Sequence, residues 1–321
     1  MGKIKVLVLD DEKKRMKQYK AFAEINDFLL QFISLEDEDP LEKMNGILDG
    51  SNYPDIIILD HKFTNAKTKI SKGTSLISAF RMTFKCPIIA VTAAKKDCIA
   101  DFDSHYDDIF DINELSSIGD YIKIMIDGFY KVSKVSNMDE LLKLLEIPET
   151  VITDLSNSLP DEIKNQDNYI STDFNSVVYK WFINYFYKLP GFLHNIDWTA
   201  TLIGVNKKNF KEYEEKIEMT KYDGIWSNPN DKRWWKSKIY ELISSKEVEL
   251  HPWYFQEACN QVLEIKKDHI SKCYKCQENW PEIMALTDYS DPSYEQVHLR
   301  CSQHNHRKYS YPYYEEPRIM I

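Results

Sequence analysis

The chain has 321 residues, a length typical of two or three domains. Apolar residues make up 43% of it, and glycine and proline number only 9 and 12, which excludes a disordered or collagen-like chain. Its net charge of −10 excludes binding to nucleic acid through a general excess of positive charge. No apolar run is long enough to span a membrane, and the N-terminus lacks a signal-peptide pattern, so we expect a cytoplasmic protein.

Alternating strand and helix patterns predict an α/β domain over residues 1–131. Apolar runs predict strands at residues 4–9, 28–34, 55–59 and 87–92, with a weaker fifth strand at 109–110. Helical patterns lie at residues 12–24, 40–48, 74–84, 95–102 and 115–130. Repeated βα units of this kind form a parallel, doubly wound sheet with right-handed crossovers.

Polar residues follow the predicted strands at the edge where such sheets bind ligands. Asp10 and Asp11 follow the first strand, Asp60 follows the third, and Thr92 ends the fourth. Three carboxylates at one edge repel each other unless a cation lies among them, and oxygen ligands suit Mg²⁺. A carboxylate beside such a cation can accept a phosphoryl group, so the pattern predicts a magnesium site with this chemistry.

The segments LVLDDE (7–12), IIILDHK (56–62) and PIIAVTA (87–93) resemble receiver domains, the phospho-acceptor modules of bacterial response regulators. The resemblance covers residues 1–131 and implies a flavodoxin-like fold with a five-stranded parallel sheet in the order 2-1-3-4-5. It also implies that Asp60 is the phospho-acceptor. The implied magnesium ligands are Asp10, Asp11, Asp60 and the backbone carbonyl of Lys62. The implied switch positions are Thr92, Phe110 and residue 113, and Gly73 matches the glycine that opens the third helix.

The chain departs from the receiver pattern at position 113. Receivers carry a lysine three residues after the aromatic residue of the fifth strand, and this sequence has Asn113 there. Asparagine is neutral and too short to replace that lysine, although the loop after Asp60 offers four lysines between positions 62 and 72 as substitutes. Three interpretations stay open: an inactive receiver that serves as a binding surface, an atypical receiver that is phosphorylated, and a different α/β enzyme on this scaffold.

The remaining residues resemble no family that we recognise. A polar linker at residues 132–139 precedes a predicted helical, aromatic-rich domain over residues 140–250. Residues 251–321 are predicted to form a helix followed by a zinc-binding module. The helical patterns of this half lie at residues 140–145, 172–189, 197–204, 209–219, 233–244 and 252–267.

A cysteine–histidine pattern near the C-terminus predicts a metal site. Cys273 and Cys276 form one pair three residues apart, and Cys301 and His304 form a second. Two such pairs can close a tetrahedral site around Zn²⁺, and four protein ligands make the site structural rather than catalytic. His306 is the alternative fourth ligand, while His298 and His269 are more distant options.

A basic segment offers a weaker candidate for nucleic-acid contact. Residues 206–246 carry ten Lys and Arg against seven Asp and Glu. The candidates within it are Lys232, Arg233, Trp234, Trp235 and Lys236. The alternative for this segment is an amphipathic helix with its tryptophans directed inward.

These patterns favour a non-enzymatic signalling or adaptor protein. Its receiver-like domain would bind a protein partner, and the C-terminal half, stabilised by zinc, would bind or respond. A homodimer is a further option. The alternative is a nucleic-acid-binding or nuclease effector regulated by the receiver-like domain, in the context of phage defence.

Overall fold

The computed structural model divides the chain into two compact units, one of residues 1–144 and 161–180, the other of residues 145–160 and 181–321. The predicted domain ranges 1–131, 140–250 and 251–321 stay predictions. The structure describes residues 2–36, 53–64, 71–93, 95, 106–155, 159–165, 171, 173–187, 191–246, 255–279, 283, 285–287, 295–298, 301 and 309–310. The predicted helix at 40–48 and, apart from Lys95, that at 95–102 lie outside these ranges.

The first unit is built on a five-stranded parallel sheet. Its strands are β1 (Lys5–Asp10), β2 (Leu29–Ser34), β3 (Ile56–Leu59), β4 (Ile88–Thr92) and β5 (Asp108–Asp111). Their order is β2-β1-β3-β4-β5, which confirms the predicted flavodoxin-like sheet. The three central strands are buried almost completely, because helices cover both faces of a doubly wound sheet.

Four helices and two 3₁₀ turns of the described chain accompany this sheet; three of the helices match the predicted βα pattern, and the fourth overlaps the helix predicted at 140–145. The helices are α1 (Met16–Asn26), α2 (Thr74–Arg81), α3 (Gly119–Val132) and α4 (Met138–Leu144), and the turns are Lys13–Arg15 and Ile112–Ser117. The continuous helix predicted from residue 12 therefore starts as a 3₁₀ turn and becomes α-helical only at Met16. This turn lies directly beside the end of β1 and determines where the Arg15 side chain lies.

Residues 161–180 return to the first unit through buried polar contacts. After α5 (Glu149–Leu155) come α6 (Asp161–Lys164) and α7 (Phe174–Phe182). The Asn175 side chain donates to the carbonyls of Lys85 and Phe129 at 3.2 and 3.1 Å. The Ser176 hydroxyl donates to Asp107, a buried carboxylate that also accepts from Arg81. Hydrogen bonds of this kind between distant segments leave no periodic signal in the sequence.

The second unit has a helical core rich in aromatic residues. A short π-helix, Ile183–Tyr187, continues α7. It is followed by β6 (Leu193–His194), α8 (Ile196–Ile203), β7 (Trp234–Trp235), α9 (Lys236–Ser244) and α10 (Phe255–Val262). Two 3₁₀ turns, Lys207–Glu212 and Glu214–Thr220, occupy the region of the helix predicted at 209–219. Apolar residues spaced three and four positions apart do not distinguish an α-helix from 3₁₀ turns, since Phe210, Tyr213 and Ile217 would face one core in both.

A small antiparallel sheet ends the described chain. It comprises β8 (Ala285–Thr287), β9 (Gln296–Val297) and β10 (Tyr309–Ser310), with β8 in the centre. None of the helices in the described part of the chain is both long enough and apolar enough to cross a bilayer.

Candidate functional site

Three carboxylates converge at the carboxyl edge of the central strands. Leu9 of β1 is in register with Leu59 of β3, so the aspartates that follow them emerge side by side. Asp10, Asp11 and Asp60 are only 0, 1 and 4% exposed, and a carboxylate oxygen of each lies within 4.8 Å of the other two. The structure therefore brings together the predicted acidic residues in one buried cluster, which we call the acidic pocket.

A cation from the chain itself lies against the acidic pocket. The guanidinium Nη1 of Arg15 is 2.7 Å from Oδ2 of Asp60 and 3.3 Å from Oδ2 of Asp10. Its other terminal nitrogen donates to Glu12 Oε1 at 3.1 Å. The Arg15 side chain is only 14% exposed, so these ion pairs are partly shielded from solvent screening.

The 3₁₀ turn after β1 puts Arg15 there. The Glu12 N–H donates to Asp10 Oδ1 at 2.7 Å, and the Arg15 N–H donates to the Glu12 carbonyl at 2.8 Å. These bonds fold the turn over the strand end, so that the long Arg15 side chain reaches a residue 45 positions away. The sequence interpretation missed Arg15, because it looked for a substitute cation only after Asp60. The available signal was a lone arginine five residues beyond Asp10.

Burial and charge oppose each other in the acidic pocket. Burial raises the pKa of Asp10 to about 6, although the Glu12 N–H and the Arg15 charge both act to lower it. For Arg15, burial lowers the pKa, but Asp10 and Asp60 outweigh burial and raise it overall. Arg15 therefore stays charged at every pH at which the protein is folded.

The acceptor position implied by the receiver resemblance already has donors on both oxygens. Besides the Arg15 contact to Oδ2, Oδ1 of Asp60 accepts the His61 N–H at 2.7 Å. A β-carbon at Gly73 would lie 2.3 Å from the Asp60 carbonyl oxygen, so only glycine fits that position. Lys62 lies in the loop after Asp60, where its backbone forms an isolated antiparallel β-bridge with Lys72. The role of its carbonyl as a metal ligand stays a prediction.

The predicted switch positions lie along β4 and β5. Thr92 is 1% exposed at the end of β4, and Phe110 packs edge-on against Tyr121 of α3 at 5.4 Å between ring centroids. The Asn113 side chain donates to Asp111 Oδ1 at 2.7 Å, as does its backbone N–H at 2.9 Å. Asp111 therefore caps the 3₁₀ turn that follows β5, and Asn113, inside that turn, is bound to it.

A second ligand cluster lies in the second unit. The cysteine and histidine side chains of Cys273, Cys276, His298 and Cys301 each offer one atom, and these atoms lie within 4.8 Å of one another. Nδ1 of His298 is 3.2 Å from Sγ of Cys276 and 3.8 Å from Sγ of Cys301. We call this set the thiol cluster, and it could hold a metal ion. The predicted fourth ligands, His304 and His306, lie outside the described residues.

Two buried glutamines join the thiol cluster region to the helical core. Gln256 of α10 donates to the carbonyls of Thr201 and Ile283, both at 2.6 Å. Gln296, two residues before His298, donates to the Val205 carbonyl at 2.9 Å. Hydrogen bonds of these two glutamines thus connect the segments that carry the thiol cluster with α8 and α10.

The candidate nucleic-acid segment contributes to the core and to ion pairs. Trp234 and Trp235 are 0% exposed and Lys236 is 6% exposed. Arg233 pairs with Asp231 at 2.8 Å, and Lys232 pairs with Glu214. The two indole rings consequently face protein rather than solvent, and the segment does not present them to a nucleic acid.

Comparisons with known proteins find similarity to solved structures only, at TM-scores near 0.3. No protein-family model matches the chain, and no curated protein does. Among solved structures, a response regulator receiver domain protein from Clostridium thermocellum is 21% identical, with 39% of this chain and 94% of that chain covered, at a TM-score of 0.31. The receiver domain of a Francisella response regulator is 27% identical, covers 41% and 99%, and has a TM-score of 0.29. A sensor protein from Polaromonas sp. JS666 is 16% identical, covers 40% and 99%, and has a TM-score of 0.33.

The solved structures that cover about 40% of the chain include response-regulator receiver domains, at low identity. The fold assignment for the first unit rests on its own strand order, which is that of flavodoxin-like receivers.

Proposed function

We propose that this chain is a signalling regulator whose first unit binds a protein partner without acting as a standard phosphorylation switch. The observation that carries the proposal is the position of Asn113. It stands where a receiver has its lysine, and its side chain is bound to Asp111 at 2.7 Å. A lysine at that position would stabilise a phosphoryl group on Asp60, and an asparagine bound to a neighbouring carboxylate does not.

The state of Asp60 supports the same conclusion. Phosphoryl transfer needs a carboxylate oxygen that can attack phosphorus while a leaving group departs. Here both Asp60 oxygens accept hydrogen bonds, from Arg15 at 2.7 Å and from the His61 N–H at 2.7 Å. Donors to the ionised form stabilise it and make it a weaker nucleophile.

We propose further that the thiol cluster binds zinc and that the site is structural. Three sulfurs and one imidazole nitrogen are the donor set that zinc prefers, and four protein ligands leave no open position for a substrate. Cys273 and His298 are both 0% exposed and Cys276 is exposed, so the metal would be reached by buried ligands on one side and lie near the surface on the other. Its chemical contribution would be folding energy for a segment with little regular structure.

The regulator proposal is tested by comparing wild type with Asp60→Asn. Each full chain is incubated with acetyl phosphate and Mg²⁺ and weighed by intact mass spectrometry, and partners are then captured from the native host and mapped by cross-linking. We expect no phosphoryl adduct on wild type, and one recurring partner that cross-links to residues 1–131 in both chains.

A standard switch would give a different pattern. An adduct on wild type that Asp60→Asn lacks, together with loss of the partner in Asp60→Asn, would contradict the proposal. Absence of any recurring partner on residues 1–131 would contradict the binding role itself.

A further inference from the structure

We propose that the Arg15 guanidinium is the resident cation of the acidic pocket and excludes a divalent metal from it. This inference deepens the function proposed above and rests on it for its context. It reverses the expectation of a magnesium site, since a cation of the chain already contacts two of the three buried carboxylates.

The geometry makes Arg15 and a metal alternatives. A Mg²⁺ ion shared by two carboxylates lies about 2.1 Å from an oxygen of each. Nη1 of Arg15 already contacts Oδ2 of Asp60 at 2.7 Å and Oδ2 of Asp10 at 3.3 Å. A metal bound to these two oxygens would have to enter the space that Nη1 fills, so the ion and the guanidinium cannot occupy this position together.

Both terminal nitrogens of Arg15 are held by carboxylates of the chain. Glu12 accepts from its second terminal nitrogen at 3.1 Å, and the Glu12 N–H donates to Asp10. The turn therefore connects the guanidinium and a pocket carboxylate through one residue. Removing either partner of a buried ion pair leaves an uncompensated charge, so displacement of Arg15 by an ion from solution is opposed.

The neighbouring residue Lys14 provides a matched control. Its side chain is 82% exposed and its ammonium lies 3.0 Å from the other Glu12 oxygen, Oε2. Lys14→Met removes the same charge from the same turn and leaves the pocket contacts intact. Arg15→Met keeps the length and the apolar stem of the side chain while deleting the guanidinium.

The experiment is calorimetric titration of the full-length chain with Mg²⁺ for wild type, Arg15→Met, Lys14→Met and the double variant Arg15→Met/Asp60→Asn. We expect Arg15→Met to bind Mg²⁺ at least about tenfold more tightly than wild type, because a buried charge is then uncompensated. Lys14→Met should match wild type, and the double variant should lose the gain.

Two results would overturn the inference: wild type binding Mg²⁺ as tightly as Arg15→Met, or a gain that survives in the double variant. If Arg15→Met does not fold, Arg15→Gln is titrated with Mg²⁺ in its place. Thermal unfolding in the presence and absence of Mg²⁺ is the second measurement. Mg²⁺ should raise the unfolding temperature of the Arg15 variant and leave that of wild type unchanged. These outcomes do not depend on any partner, so they are separate from failure of the proposed function.

Discussion

The acidic pocket and the thiol cluster are both groups of side chains that could hold a metal ion, but they differ in the contacts that their ligand atoms already make. The acidic pocket has Arg15 within 2.7 Å of Asp60, whereas the described side chains of the thiol cluster contribute only three thiols and an imidazole. A group of potential ligand side chains is therefore a stronger metal candidate when its ligand atoms face one another than when they face a cation of the chain. The comparison predicts a first unit that is independent of metal and a second unit that depends on it.

The largest effect is expected from disrupting the thiol cluster. Cys273→Ser should reduce the metal content from about one zinc per chain to near zero and destabilise the second unit by several kcal/mol, because binding energy of a structural zinc is folding energy. Metal analysis and urea unfolding measure the two effects. Cys86→Ser, in the first unit, should keep the full zinc content, and a zinc-free wild type would sink the proposed site.

A smaller effect is expected in the acidic pocket. Arg15→Met should lower the free energy of unfolding by about 3–5 kcal/mol in metal-free buffer, as for other buried ion pairs that lose one partner. The double variant Arg15→Met/Asp60→Asn should lose less than the sum of the two single changes, because the residues are coupled. Urea denaturation measures all three. Additive losses would mean that the contact between Arg15 and Asp60 contributes nothing.

The proposed fourth zinc ligand is His298, which the structure brings into the thiol cluster, whereas the cysteine–histidine spacing predicts His304. His298→Ala should weaken zinc binding by a factor on the order of 10–100 or more, while His304→Ala should leave it unchanged. Competition with a chromogenic chelator measures both affinities. The reverse result would favour the ligand set predicted from spacing, with His304 in place of His298.

The smallest effect concerns thiol reactivity. Burial raises the pKa of Cys86 to about 12, so at pH 8 only about one thiol in ten thousand is the reactive thiolate. We expect Cys86 to alkylate slowly with or without chelator, and faster as pH rises toward 12. Cys276 and Cys301 should react only after chelation. Peptide mass spectrometry after timed iodoacetamide treatment measures the rate at which each cysteine is alkylated. Fast labelling of Cys86 would contradict the raised pKa of its thiol.

Strand-end residues could be predicted because their position follows from local pattern alone. An apolar run followed by Asp10 or Asp60 places that carboxylate at the ligand-binding edge of any parallel sheet. The missing receiver lysine at Asn113 was visible for the same reason. Cys273 and Cys276 could be predicted as a pair, since a spacing of three residues brings two thiols together without help from the rest of the fold.

The sequence by itself determined the βα order, the three convergent aspartates and the cysteine pair, since each depends on short-range spacing. Only the tertiary structure decided what completes each group. Arg15 reaches Asp60 across 45 positions, and His298 meets Cys273 across 25. Contacts at these separations depend on how a turn folds over a strand end or how β9 lies against its neighbours. No periodicity records them, so only the fold shows the cation beside the acidic pocket and the histidine in the thiol cluster.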